Sequence, residues 1–377
     1  MPVLALLAVG VWLLARPPGG GAPEIALVAF LAAFGLTPFV SLVARRGGAL
    51  DLPDARKKHG APTPKLGGVA VISAFVLAMG RTSTIDRTML CIAAAALALM
   101  LAGAVDDTRG LSARLRLGLQ LVCALLVIGA GVRLNLLPGA AGAAANVLLS
   151  IVWIVGITNA YNFIDGMDGL AASLGALIAM LLGLVAQSSG QGGLAAACAA
   201  LAGALLGFLP HNLRATRPAS IFLGDSGSAS VGFLLASLAI KEDWAEGDPL
   251  VALATPVLIF SVLIYDMIQT TVSRVASGRV RSFRQWIDFV GRDHIHHRFA
   301  DLLGNQKRAL ALILALALGL GLSALGLRRG DGPVAFIFLV HGALVLLVVA
   351  VLEGSAARTG SRRSPPSPGG ASGREGR

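Results

Sequence analysis

The chain has 377 residues, of which 55% are hydrophobic and only 14% are charged, and its mean hydropathy is +0.77. This composition excludes a water-soluble protein, because a soluble domain of this length needs far more charge to cover its surface. The formal net charge of +11 does not indicate nucleic-acid binding. The basic residues lie mostly in short loops between apolar segments, where the positive-inside rule explains them.

Long continuous apolar segments predict an all-α membrane protein. About 20 apolar residues cross the hydrocarbon core, and uninterrupted segments favour helices over the alternating strands of a barrel. We predict a polytopic protein of about eleven transmembrane helices. The predicted spans, in chain order, are 24–44, 66–80, 89–105, 117–133, 147–163, 169–187, 193–210, 226–240, 249–272, 309–327 and 333–352.

The chain divides into three predicted parts. Residues 1–23 contain a short apolar segment, which we interpret as an extra or partial membrane segment. Residues 24–353 form the transmembrane domain. Residues 354–377 are rich in Gly, Ser, Pro and Arg, which predicts a disordered basic tail in the cytoplasm because such a segment cannot bury a core.

The distribution of Lys and Arg predicts the orientation of the chain. Counting the spans places the most basic loops and the tail on one side, which the positive-inside rule assigns to the cytoplasm. By contrast, the loop 134–146 on the other side contains neither Lys nor Arg. The loops on the predicted cytoplasmic side are 45–65, 106–116, 211–225 and 273–308.

An adjacent pair of carboxylates, Asp106 and Asp107, ends one predicted span on the basic side. Because adjacent carboxylates repel each other, the pair favours a metal ion, a shared proton or a role as general base. The alternative is a solvated helix end that Arg109, Arg114 or Arg116 neutralises.

Four oxygen-bearing side chains, Asn159, Asn162, Asp165 and Asp168, recur at a spacing of three at the end of another span. Amide and carboxylate oxygens suit Mg²⁺ or Mn²⁺, and both side-chain types also hydrogen-bond nucleobase edges. Neighbours in the series lie close together on a helix, and intervening glycines permit a break that would gather the rest. The alternative is a polar helix end with local caps.

Asp225 lies between Gly224 and Gly227 at the start of a predicted span. Glycines let the backbone approach a ligand closely, and a helix start offers free N–H groups to a phosphate. The alternative is that Asp225 or Ser226 only caps the helix that follows; the two interpretations are compatible.

Two basic loops complete the set of motifs. Three histidines and two arginines within residues 292–298 indicate an anion-binding loop. A zinc site is the alternative, but the loop has no cysteine and its arginines would repel a metal. The second loop, residues 51–68, combines cations with prolines that make it rigid. It suits phosphate or lipid headgroups, or it serves only as a positive-inside signal. The candidate residues are Arg56, Lys57, His59, Arg292, His294, His296, His297 and Arg298.

These five motifs, in this order over roughly residues 24–352, resemble the polyprenyl-phosphate N-acetylhexosamine-1-phosphate transferases of glycosyltransferase family 4. The similarity is greatest to the bacterial undecaprenyl-phosphate N-acetylglucosamine-1-phosphate transferases. Relatives that transfer phospho-MurNAc-pentapeptide have three consecutive histidines in the last motif, which Ile295 interrupts here. We therefore disfavour that substrate.

The resemblance implies about ten or eleven helices around a cytoplasmic active-site cleft. It also implies one Mg²⁺ ion, with Mn²⁺ as the alternative, held by Asp225 with help from Asn162. It implies that Asp106 and Asp107 activate the lipid phosphate or hold it near the metal, and that the histidine cluster holds the diphosphate. Its implied catalytic residues are Asp106, Asp107, His294, His296 and His297. Its implied substrate-binding residues are Arg56, Lys57, His59, Asn159, Asp165, Asp168, Arg292 and Arg298.

The implied reaction transfers GlcNAc 1-phosphate from a UDP-amino sugar to undecaprenyl phosphate at the inner (plasma) membrane. A lipid phosphate oxygen attacks the sugar-bearing phosphorus directly and UMP leaves; a covalent aspartyl phosphate is a minor alternative. The expected partners are the two substrates and the bilayer, without nucleic acid, and a homodimer is left open. A secondary transporter is the alternative from another class, but it would place its acids near the bilayer midplane.

Overall fold

The computed structural model describes residues 20–52, 61–83, 85–241, 249–282, 285–286, 289, 291, 293–330 and 332–363. Four of the predicted substrate-binding residues, Arg56, Lys57, His59 and Arg292, lie outside these residues. So do most of the predicted N-terminal apolar segment and residues 364–377.

The described residues fold almost entirely into α-helices, which confirms the predicted all-α class. In chain order they are α1 (Ala22–Arg46), α2 (Gly67–Met79), α3 (Arg87–Arg109), α4 (Ala113–Gly129), α5 (Gly139–Ile164), α6 (Leu170–Ser188), α7 (Gly192–Asn212), α8 (Asp225–Lys241), α9 (Pro249–Ile259), α10 (Ser261–Ala276), α11 (Ile295–Leu303), α12 (Gln306–Arg329) and α13 (Gly332–Arg363). A short antiparallel pair, β1 (Leu50–Asp51) and β2 (Thr63–Pro64), lies between α1 and α2.

Seven of the described helices are long and apolar enough to cross a membrane, as expected for a multi-pass membrane protein. Three further predicted spans correspond to α2, α4 and α8, which have 13, 17 and 17 residues. Helices of 17 residues lie at the lower limit for a bilayer crossing, and 13 residues fall below it.

Two further boundaries differ from the prediction. The predicted span 249–272 is not one helix, because α9 and α10 meet at Phe260 with a bend of 78°; counted together they make an eighth candidate span. The last helix continues to Arg363, so the predicted disordered tail begins within a helix. Hydropathy marks only where the apolar residues end, and good helix formers such as Ala and Arg then extend the helix beyond that point.

Small residues bring α2 and α3 into close contact with the start of α8. A Cβ atom on Gly68 would lie 2.0 Å from the backbone nitrogen of Gly227, and one on Gly103 would lie 2.5 Å from the carbonyl oxygen of Asp225. Small residues at membrane helix interfaces allow such backbone approach. Close packing therefore places the Asp225 motif directly beside α3, whose last turn contains Asp106 and Asp107.

Backbone hydrogen bonds hold the loop before α8 in the same place. Phe222 donates its N–H to the carbonyl oxygen of Pro64 at 2.8 Å, and Gly67 donates to the carbonyl oxygen of Phe222 at 3.0 Å. Gly68 donates to the carbonyl oxygen of Leu223 at 2.8 Å. The end of β2 and the start of α2 thus pair with the segment that leads into Asp225.

We predict that Gly68→Ala destabilises the protein, because its new methyl group would meet backbone rather than a movable side chain. Overpacking of this kind costs roughly 1–3 kcal/mol, and the thermal unfolding midpoint in detergent should fall. Gly118→Ala on α4 is the matched control, since no atom lies within 4 Å of its added Cβ and alanine is the better helix former. Equal midpoints for the two variants would contradict this packing.

Candidate active site

The carboxylate of Asp107 accepts two backbone hydrogen bonds from the start of α8. Its Oδ1 accepts the backbone N–H of Asp225 and its Oδ2 accepts that of Ser226, both at 3.0 Å. These N–H groups begin a helix, where they have no partner within the helix itself. Gly224 precedes them with φ +74°, and a Cβ there would lie 2.6 Å from the Asp107 Oδ2. The predicted acid pair and the predicted Asp225 motif are therefore one unit.

Asn162 links the Asn–Asp segment at the end of α5 to this unit. Its Nδ2 donates to the Asp225 Oδ1 at 2.9 Å and to the Ser228 Oγ at 2.6 Å. The Asp225 side chain remains 33% exposed. Asp225 is thus held from two sides while part of its carboxylate stays open to a ligand.

Arg116 on α4 lies between two of the acids. Its Nη1 donates to the Asp106 Oδ2 at 2.9 Å and lies 3.7 Å from the Asp225 Oδ1. The Asp106 Oδ1 accepts the N–H of Leu111 at 2.5 Å. Arg116 is 42% exposed, so the pairing adds little stability, and its guanidinium lies within reach of an anionic ligand. The sequence indicated Arg116 only as a counter-charge for Asp106.

The other three members of the Asn–Asp segment have separate partners. Asn159 donates its Nδ2 to the Oε1 of Gln120 at 2.6 Å. Asp168 accepts the N–H of Ala219 at 3.0 Å and so holds the loop that precedes α8. Asp165 follows the last residue of α5. Asn162 is the member of the segment that hydrogen-bonds Asp225.

Asp165 lies in the negative field of the acid cluster. Burial raises the pKa of the Asp165 carboxyl to about 8, and the charges of Asp225, Asp107 and Asp168 act in the same direction. A carboxyl in this environment gains its proton more readily because a further negative charge there is unfavourable. The cluster would therefore be stabilised by a cation.

A cavity of about 310 Å³ opens beside this cluster, between α3, α4, α5 and α10. Most of the cavity wall is apolar, including Leu99, Val155 and Met267. Ion pairs and hydrogen bonds connect the polar lining residues in part, and we call these residues the polar end. The lining is therefore amphipathic. The polar end is formed by Asp106, Arg116, Gln120, Asn159, Asn162 and Asp225.

The histidine motif packs against the end of α5. A Cβ on Gly166 would lie 2.3 Å from the Nε2 of His296, and the ring of His294 lies 5.4 Å from that of Phe163. The centroids of the His296 and His297 rings are 4.1 Å apart. His294 and His296 are 7% and 1% exposed, whereas His297 is partly exposed. His297 is thus the most accessible of the three histidines.

A buried ion pair supports the histidine loop. Arg274 at the end of α10 donates its Nε to the Asp293 Oδ2 at 2.8 Å and its Nη2 to the Asp293 Oδ1 at 2.7 Å. Burial opposes ionisation of Asp293, but the hydrogen bonds and the charge of Arg274 outweigh it, so the pKa of this carboxyl lies below its usual value. The predicted residue Arg298 lies nearby on α11 and is partly buried.

Sequence reasoning did not identify Gln120, Asp266 or Arg274 as site residues. Asp266 on α10 contacts His294, with its Oδ2 2.8 Å from the His294 Nδ1. A signal for Asp266 was present, because it is the only charged residue between Pro249 and Thr271. An isolated acid in an apolar membrane segment usually has a function.

We predict that Asp107→Asn lowers stability more than Asp106→Asn. Asparagine has one acceptor oxygen, so at position 107 its NH₂ group would face a backbone N–H, and an unsatisfied buried donor costs about 1–3 kcal/mol. At position 106 the remaining oxygen still accepts the Leu111 N–H, and only a partly exposed ion pair is lost. Thermal unfolding in detergent measures the difference. The reverse order would contradict the assigned role of Asp107.

Comparison with known proteins identifies related sequences. The family model described as Glycosyl transferase family 4 matches residues 89–242, which contain the acid pair, the Asn–Asp segment and Asp225. A probable undecaprenyl-phosphate N-acetylglucosaminyl 1-phosphate transferase of Bacillus subtilis is 31% identical over 281 residues, which cover 72% of this chain and 75% of the relative.

Two further relatives carry related names. A decaprenyl-phosphate N-acetylglucosaminephosphotransferase of Mycobacterium tuberculosis is 31% identical over 335 residues, covering 78% of this chain and 80% of the relative. An undecaprenyl-phosphate alpha-N-acetylglucosaminyl 1-phosphate transferase of Thermotoga maritima is 27% identical over 279 residues, which cover 74% of this chain and 82% of the relative. Together with the site geometry, these similarities show that the chain belongs to glycosyl transferase family 4.

Proposed function

We propose that this protein transfers N-acetylglucosamine 1-phosphate from UDP-N-acetylglucosamine to undecaprenyl phosphate. An oxygen of the lipid phosphate forms a bond to the sugar-bearing phosphorus, the bond from that phosphorus to UMP breaks, and UMP leaves. The sugar C–O bond stays intact. The names of the relatives support undecaprenyl phosphate as the acceptor and N-acetylglucosaminyl 1-phosphate as the transferred group. The structural observation that carries the proposal is the amphipathic cavity, whose polar end holds Asp106, Arg116 and Asp225.

The cavity suits an amphipathic acceptor. Its apolar wall, formed by side chains such as Leu99 and Val155, takes the isoprene units next to the phosphate. The exposed part of the Arg116 guanidinium offers charge-assisted hydrogen bonds to that phosphate. A water-soluble acceptor would leave the apolar wall without a partner, which disfavours it.

We further propose that Asp225 and Asn162 would hold a Mg²⁺ ion, with Mn²⁺ as the alternative. Among the described residues, no group of three or more His, Cys, Asp and Glu side chains is arranged to hold a metal. This fits Mg²⁺, which usually takes one or two protein carboxylates together with waters and substrate phosphates. Asp225 is the acid that fits best, because Asp107 accepts two backbone N–H groups and Asp106 pairs with Arg116. The ion would offset negative charge on the diphosphate.

The donor diphosphate then lies between Asp225 and the histidine helix α11. The end of α5 bridges these two groups, because Asn162 contacts Asp225 and Gly166 contacts His296. Asn162 and Gly166 are only four residues apart in the chain, so one short segment connects the two groups. His297 is the accessible histidine for this role.

The rival functions fit less well. A secondary transporter places its ionisable residues near the bilayer midplane, whereas Asp106, Asp165 and Asp225 lie at helix ends. A phospho-MurNAc-pentapeptide transferase remains the nearest enzymatic alternative. A panel of UDP-sugars in a UMP-release assay decides between the two donors.

We predict that Asp225→Asn reduces UMP release by roughly 10²-fold or more, the scale for losing one preorganised electrostatic group. The start of α8 should stay in place, because the Asp107 carboxylate accepts the N–H groups of Asp225 and Ser226 and is unchanged in this variant. Asp86→Asn, at the opposite end of α3, is the matched control and should stay within about twofold of wild type. Near-normal turnover of Asp225→Asn at ordinary Mg²⁺ concentration would remove Asp225 from the metal site.

We also predict that a change at the acceptor end leaves donor binding intact, whereas a change in the histidine motif weakens it. Without lipid present, Asp106→Asn should bind UDP-N-acetylglucosamine normally in calorimetry, because Asp106 lies at the acceptor end. His297→Ala should weaken that binding by about 1.5–3 kcal/mol through loss of a charge-assisted hydrogen bond. Loss of donor binding in Asp106→Asn with retention in His297→Ala would contradict both assignments.

The proposed site faces the cytoplasm, so sidedness is testable. In a variant without Cys91, Cys123 and Cys198, a cysteine at the exposed position Arg109 should react with a membrane-impermeant thiol reagent only after the membrane is opened. A cysteine at the exposed position Asn135 should react from outside. Equal external labelling of both would contradict a cytoplasmic site.

A further inference from the structure

A buried network surrounds His294 and uses both of its ring nitrogens. The His294 Nδ1 lies 2.8 Å from the Asp266 Oδ2, and its Nε2 lies 3.3 Å from the Arg274 Nη2. Arginine only donates hydrogen bonds, so the Nε2 must be the acceptor and the proton must reside on the Nδ1. The Asp266 carboxylate accepts a hydrogen bond from the Nδ1–H. A proton on the Nε2 would point at the Arg274 guanidinium, so Asp266 and Arg274 together favour the neutral Nδ1–H tautomer.

The same carboxylate fixes the start of α11. The Asp266 Oδ1 accepts the N–H of Ile295 at 2.7 Å, which is the first residue of that helix. Asp266 is 2% exposed and reaches the histidine loop because α10 turns by 78° away from α9 at Phe260. One side chain therefore sets both the orientation of the His294 ring and the first turn of the helix that carries His296 and His297.

The other half of the network is also rigid. Arg274 is 4% exposed and pairs with Asp293 through two hydrogen bonds, which immobilises the guanidinium that faces the His294 Nε2. The ring of Phe289 lies 4.5 Å from the Arg274 Cζ. Neither nitrogen of His294 has capacity left for a phosphate in this arrangement, and its side chain is only 9% exposed.

We propose that Asp266 and Arg274 are positioning residues that lock His294 in its Nδ1–H tautomer, and that His294 serves as a hydrogen-bonding link rather than as a ligand of the donor diphosphate. The lock holds His296 against Gly166 and sets the place of His297 beside it. This replaces the catalytic role that the family resemblance implied for His294. The proposal rests on the proposed function, since it assigns these residues to the donor side of that site.

The test compares glutamine and alanine at two neighbouring histidines. A glutamine side chain carries one donor and one acceptor but cannot become a cation. His294→Ala should reduce kcat/KM for UMP release by at least about tenfold, whereas His294→Gln should recover to within about threefold of wild type. At the control position, His297→Gln should stay nearly as impaired as His297→Ala, because a diphosphate ligand needs the histidine itself.

Asp266→Asn tests the acceptor side of the lock. Whichever way its amide turns, its NH₂ group faces either the His294 Nδ1–H or the Ile295 N–H. It should therefore resemble His294→Ala. The double variant should be little worse than either single variant, because both break the His294–Asp266 contact and the amide oxygen at position 266 can then accept the Ile295 N–H. If His294→Ala does not accumulate, the comparison of His294→Gln with Asp266→Asn gives the same answer.

Thermal unfolding in detergent without substrate separates this proposal from the proposed function. If Asp266 and Arg274 hold the His294 ring, the thermal unfolding midpoint should fall in His294→Ala and should return most of the way to the wild-type value in His294→Gln. This expectation does not depend on which donor the enzyme uses. Absence of UMP release from UDP-N-acetylglucosamine in the wild type would contradict the function and leave this comparison intact. The lock is overturned if His294→Gln is as inactive and as unstable as His294→Ala while the wild type is active.

Discussion

The hydrogen bonds from the backbone of Asp225 and Ser226 to the Asp107 carboxylate are the interaction on which the site depends. They attach the start of α8 to the end of α3, and the glycines at positions 68, 103 and 224 supply the space for that approach. Once this start is fixed, Asn162 and Arg116 approach the Asp225 carboxylate from two other helices. Asp107 therefore acts through position, and Asp225 is the acid that remains open to a ligand.

A second constraint is the concentration of negative charge at one end of the helix bundle. Carboxylates gather around the ends of α3 and α5 and the start of α8, where burial raises the pKa of Asp165 and the charges of Asp225, Asp107 and Asp168 act in the same direction. Arg116 offsets part of this charge. The metal ion proposed above would offset the rest, and the same ion would bind the anionic diphosphate. Repulsion among these carboxylates would thus favour binding of a metal–diphosphate complex.

Much of this site followed from the sequence, because polar residues at apolar helix ends are informative. Asp106, Asp107, Asn162 and Asp225 were predicted together and lie together. The break at Phe260 was missed because hydropathy does not register a bend between two apolar helices. The partners Asp266 and Arg274 were missed because they lie 28 and 20 residues from His294 in the chain. Only the bend brings Asp266 to the histidine loop, and no local pattern encodes that contact.

The central claim is that the sugar moves together with its phosphate. The most direct measurement uses UDP-N-acetylglucosamine labelled either at the sugar-bearing phosphorus or at the nucleoside-bearing phosphorus, incubated with undecaprenyl phosphate and the purified enzyme. We expect the first label in the organic-soluble lipid product and the second in UMP. Recovery of both labels in UDP, with unlabelled sugar on the lipid, would show transfer of the sugar alone and would contradict this account.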